Sequence, residues 1–139
     1  GSILVRLRLI LATIILAGPA SSQNIEMQNG ENLFLYFCAE CHGRDAESIG
    51  PMAEMLAIEA PQLTTLSERN GGEFPTETVA MQIDGRMNIG SHGDMPVFGP
   101  YLETVQSVAI KLPRGQTMMV TQNLADLITY LKAVQNKPK

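Results

Sequence analysis

Cys38-Ala39-Glu40-Cys41-His42 is the stretch that decides how the rest of the chain is read. C-x-x-C-H is the spacing at which a c-type haem is attached covalently. On one turn of helix, residues three apart share a face, so both sulfurs can bond the two vinyl groups along one edge of a porphyrin. His42 follows directly and brings an imidazole nitrogen beneath the iron as proximal ligand. These are the only two cysteines among 139 residues, which hold only two histidines. Chance gives this arrangement in roughly one shuffled chain in 5,000, about one in 70 for each coincidence. An ordinary disulfide or a buried thiol pair competes with this reading. So does a redox C-x-x-C, but that motif expects a preceding hydrophobic strand in an α/β chain.

Length allows one domain with a modest core. The hydrophobic share is 45%, yet the chain has four Phe, three Tyr and no Trp. Side chains alone make a thin core for this size, and a buried porphyrin would supply the missing flat apolar surface.

The first 22 residues read as a secretory signal. Arg6 and Arg8 form a positive start, residues 9–17 are apolar, and Gly18, Pro19, Ala20, Ser21 and Ser22 are small residues suited to cleavage. An uncleaved membrane anchor is the alternative, but the apolar run is shorter than the roughly 20 residues a membrane span needs; no stable membrane insertion of the mature chain, 23–139, is expected. Removing residues 1–22 deletes two arginines and no acids, taking the net charge from −4 to −6. Such an acidic chain is unsuited to nucleic acid or an anionic membrane surface.

Residues 23–29 read as a loop, with Asn29 capping a helix whose apolar face is Leu33, Phe34 and Phe37. Gly50-Pro51 follows the motif. A metal-bound His needs its other ring nitrogen hydrogen-bonded, and the Pro51 carbonyl is the candidate acceptor for His42. Short helices are expected over 52–58, 62–69 and 76–84, the last opened by Pro75 and closed by Gly85. Residues 112–115 read as a turn, with a small two-stranded ribbon around it. In the last helix Leu124, Leu127, Ile128 and Leu131 fall at i, i+3, i+4 and i+7, with Asp126 on the opposite face and Thr121 or Asn123 as cap. Tyr130 is placed to pack near Gly30 and Phe34.

The second informative stretch is His92-Gly93-Asp94-Met95-Pro96-Val97-Phe98-Gly99. A Met thioether is a soft, neutral ligand that completes octahedral iron and raises its potential. Met95 stands 53 residues beyond His42, far enough to reach the opposite haem face, and Pro96 stiffens its loop. Met52, Met81 and Met87 could compete, but none precedes a proline in a glycine-bounded loop. His92 is the rival from another residue class.

With these marks in order, the chain after the signal resembles a small bacterial class I cytochrome c. The resemblance rests on Gly30 with Phe34, on Cys38, Cys41 and His42, on Gly50-Pro51, on Met95-Pro96, and on the Leu-rich last helix with Tyr130-Leu131. It implies an all-α fold of four to five helices around one covalent haem c. Cys38 and Cys41 would be the thioether tethers, His42 the proximal ligand and Met95 the distal one. It further implies a periplasmic one-electron carrier rather than an enzyme, a monomer that meets redox protein partners. A haem subunit docked on a periplasmic dehydrogenase or oxidase is the alternative, and a ligand-binding or peroxidase-type haem protein a further one. The segments 57–90 and 101–120 are longer than in the smallest family members.

Overall fold

The computed structural model describes residues 20–86 and 95–136. The elements run α1 (Ala20–Phe37), α2 (Ala39–His42), a 3-10 turn (Ala53–Met55), α3 (Leu66–Arg69), α4 (Thr76–Asp84), a second 3-10 turn (Gly99–Tyr101), β1 (Ser107–Lys111), β2 (Thr117–Thr121) and α5 (Gln122–Ala133). Among the described residues no helix is long and apolar enough to cross a membrane.

The architecture starts from the stripe on α5. Leu124, Leu127, Ile128 and Leu131 are all buried, and each fully buried leucine contributes about 1.5–3 kcal/mol relative to exposure. Thr121 caps this helix, its hydroxyl accepting from the Leu124 N–H at 3.2 Å. The stripe packs on α1, and the two helices form the main helix–helix contact. Their approach is set by Gly30: a Cβ there would collide with the Asp126 carbonyl and lie 2.9 Å from the Cβ of Tyr130. One turn further on, Phe34 and Tyr130 meet with ring centroids 5.3 Å apart.

Three expectations fail at this crossing. Residues 23–29 are helical, not a loop, because α1 extends back to Ala20. That segment holds no Pro or Gly and includes good helix formers, but it is mostly exposed and so offers no apolar periodicity. Asn29 caps nothing; its amide donates to Asn123 Oδ1 at 3.1 Å and Asp126 Oδ2 at 2.7 Å. Asp126, expected to face outward, is buried. It is accommodated because Asn29 and the Gln122 amide, at 2.7 Å, both donate to its carboxylate.

α4 ends where Gly85 adopts φ 87° and its N–H reaches the Met81 carbonyl at 3.0 Å. The end of α4 then holds the last residues of the second informative stretch. Phe98 N–H donates to the Ile83 carbonyl at 2.8 Å, and Gly99 lies against the Asp84 backbone.

The all-α expectation gains one addition, an antiparallel ribbon. β1 and β2 pair from Ser107↔Thr121 to Lys111↔Thr117 around a turn in which Gly115 takes φ 85°. Two cross-strand pairs, Val108↔Val120 and Ile110↔Met118, pack toward the core, while Ala109↔Met119 faces out. Arg86 ties the ribbon to α4, pairing with Asp84 at 2.5 Å and donating to the Met119 carbonyl at 3.1 Å.

Gly30→Val should separate α1 from α5 and Leu127→Ala should open a cavity beneath them. Urea unfolding followed by circular dichroism is expected to show Leu127→Ala about 2–5 kcal/mol less stable than the parent.

Candidate functional site

The C-x-x-C-H motif prolongs the path of α1. Cys38 N–H donates to the Phe34 carbonyl at 2.9 Å, and His42 N–H donates to the Cys38 carbonyl at the same distance. Cys38 and Cys41 therefore sit on one turn, both half-buried, their thiols not joined to each other. Burial, with Cys41 adding to it, pushes the Cys38 thiol up to about 12. A redox dithiol of the thioredoxin kind works through a lowered thiol pKa, and the burial of Cys38 acts in the opposite direction.

His42 is buried. Its Nδ1 lies 3.0 Å from the Pro61 carbonyl, and a carbonyl can only accept, so Nδ1 carries the proton and Nε2 presents its lone pair. Burial lowers the His42 pKa, opposed by the bond to Pro61, and the neutral ring is the form that ligates metal. The acceptor expected at Pro51 is thus corrected: it is Pro61, 19 residues beyond the histidine. The Gly50-Pro51 turn serves α2 instead. Gly50 packs against the Ala39 and Glu40 carbonyls, and Met52 N–H donates to Glu40 O at 2.9 Å. Pro51 itself is exposed.

The loop between these turns is held in unusual backbone conformations. Ala46 and Ser48 have φ 63° and 83°, a region costly for residues with a Cβ. Both are buried. The bonds that enforce them join the histidine to its acceptor segment: Ser48 N–H donates to the His42 carbonyl and Leu63 N–H to the Ala46 carbonyl, each at 2.8 Å. Strained residues that persist because their surroundings over-determine them are a mark of functional sites.

Met95 is half-buried and packs on the core. The Gln82 amide, from α4, points at its sulfur with Nε2 3.8 Å from Sδ. Of the competing methionines, Met52 is 39% exposed and Met81 is half-buried within α4. His92 and Met87 lie outside the described residues. Among the described residues no three His, Cys, Asp or Glu side chains converge to hold a bare metal ion.

The family model for cytochrome c matches residues 27–135. The chain belongs to the cytochrome c family. Members of this family bind haem c and generally transfer electrons, and the mostly helical architecture agrees with their fold. No curated relative and no solved structure matches the cytochrome. Its side chains suit the cofactor: a buried neutral imidazole with one nitrogen tied back, directly after two half-buried thiols on one turn. Sequence reasoning missed two participants. Pro61 gave no signal beyond lying between the short helices expected over 52–58 and 62–69, and Gln82 gave none, because a glutamine inside a short helix carries no motif.

Exchange of the His42 ring N–H tests the corrected acceptor in the haem-loaded protein. Pro51→Ala should leave that proton's exchange rate unchanged. Pro61→Gly, which frees the backbone carrying the acceptor, should speed exchange by roughly tenfold or more.

Proposed function

We propose that this cytochrome is a periplasmic one-electron carrier of the bacterial class I type, with Cys38 and Cys41 as haem thioethers, His42 Nε2 as proximal ligand and Met95 Sδ as distal ligand. The observation that carries the reading is the buried His42 ring, its Nδ1 bonded to Pro61 beside the two cysteines. When bound, the haem supplies a reversible Fe(III)/Fe(II) couple. The chain's own part is to hold its ligands still in both oxidation states. Pro61 fixes the ring plane and tautomer of His42, Gln82 orients the Met95 thioether, and Pro96 stiffens the backbone that follows it. Residues 1–22 act as an export signal and 23–139 form the mature domain. N-terminal sequencing of protein from the periplasmic fraction checks that boundary.

Spectra of the purified protein in both oxidation states test the ligand set. They should show covalent c-type haem that acid-acetone does not extract, and a Met-to-iron charge-transfer band that disappears in Met95→Ala. The reduced parent should not bind carbon monoxide, whereas the reduced variant should. Retention of the band in Met95→Ala would move the ligand to another methionine.

Gln82→Leu should fold normally and keep the band but lower the reduction potential. An N–H donor on the sulfur opposes electron donation to Fe(III), so its loss favours the oxidised form. A hydrogen bond worth about 1 kcal/mol corresponds to roughly 40 mV for one electron, measurable by spectroelectrochemical titration.

A further inference from the structure

The carbonyl that holds the His42 ring sits on irregular chain, since residues 61–65 form neither helix nor strand. No backbone ladder fixes such a segment, yet the successive carbonyls from Pro61 to Thr64 are all engaged, each by a different donor. Pro61 O takes His42 Nδ1 at 3.0 Å. The Arg69 guanidinium donates to Gln62 O at 2.6 Å, the Gln135 amide to Leu63 O at 2.7 Å, and the Asn136 N–H to Thr64 O at 2.8 Å. Two of these donors come from the turn that follows α5, with Gln135 standing 72 residues beyond its partner. Gln135 is half-buried and uses its whole amide. Its Nε2 donates to Leu63 O and also to the Leu131 carbonyl of α5 at 2.8 Å, while its Oε1 accepts from the Ser67 N–H of α3 at 3.0 Å. Carbonyls only accept and backbone N–H groups only donate, so these partners leave one orientation for the amide. The side chain thereby ties the end of α5 to the irregular segment on both sides of Thr65.

We infer that Gln135 is a positioning residue for the proximal ligand: through Leu63 it keeps the Pro61 carbonyl on the His42 Nδ1–H, and so helps set the reduction potential of the haem. The group that accepts from a ligating imidazole governs the ring's orientation and its basicity toward the metal. A carbonyl fixed on Nδ1–H makes Nε2 the stronger donor, which favours Fe(III). The chain between the clamp and that carbonyl has little freedom to absorb a change. Leu63 N–H is tied to Ala46 O at 2.8 Å, and the pyrrolidine ring locks φ at Pro61. With the peptide planes on both sides of Leu63 held, the Pro61 carbonyl keeps its aim; with the Leu63 carbonyl released, it swings and the bond to the ring weakens. Gln135 has this role only if His42 is the proximal ligand, the reading on which the inference rests.

Gln135→Leu approximately keeps the bulk and removes all three bonds. In the haem-loaded protein it should speed exchange of the His42 ring N–H by roughly fivefold or more. It should also raise the reduction potential, so that the Fe(II)/Fe(III) ratio at a fixed ambient potential grows roughly threefold, about 28 mV at 59 mV per tenfold for one electron. The sign separates positioning from mere loosening, because water admitted to the haem favours the more highly charged Fe(III) and lowers the potential. Thr129→Val, which removes a hydrogen bond to Ala125 O inside α5 and none to the segment, should move neither quantity. Should Gln135→Leu fail to take up haem, Gln135→Asn, which withdraws the same amide by one methylene, carries both expectations. An unchanged or lowered potential, an unchanged exchange rate, or equal shifts in Thr129→Val would overturn the inference and leave the ligand reading intact. A parent protein without covalent haem, or with iron not bound by His42, would overturn both.

Discussion

The close crossing of α1 and α5 at Gly30 is the constraint from which the site follows. With no Cβ at that position, the backbone of α5 can rest on α1, and the Phe34–Tyr130 contact then fixes how far α1 is rotated. The carbonyl of the same Phe34 accepts from Cys38, so the rotation of α1 is passed directly to the cysteine turn and to His42. A larger residue at 30 would therefore act on the site without touching it. Buried polar pairing secures the crossing against slippage, since Asp126 finds its donors only where Asn29 and Gln122 meet it.

α4 does for the described part of the second stretch, from Met95 onward, what α1 does for the first. Its last carbonyls hold Phe98 and Gly99, its Gly85 cap faces the Val97 side chain, and its Gln82 reaches the Met95 sulfur. Each half of the candidate ligand set thus belongs to a different helix, and the two helices are joined through the shared core. The strained turn at Ala46 and Ser48 adds a local brace, keeping the Pro61 carbonyl on the His42 ring across 19 residues of chain.

What could be read beforehand was what local pattern encodes. The C-x-x-C-H spacing, the leucine stripe of α5, the Thr121 cap, the Gly85 stop and the pairing of Gly30 with Tyr130 each depend on a few neighbouring residues or one repeating face. What was missed depends on how distant segments return. Pro51 and Pro61 look alike as prolines after the histidine, and only the folded loop shows which carbonyl comes back to the ring. Asp126 looks like a solvent-facing acid until Asn29 is seen opposite it. The early turns of α1 are helical without an apolar stripe, so periodicity had nothing to register there. Gln82 gains meaning only through a sulfur 13 residues away.

Proton NMR of the reduced, haem-loaded protein is the most direct measurement of whether iron is held between His42 and Met95. A methionine methyl group bound over the porphyrin face is driven far upfield by the ring current, and that resonance should belong to Met95. An upfield methyl assigned to a different methionine, or none at all, would contradict the arrangement described.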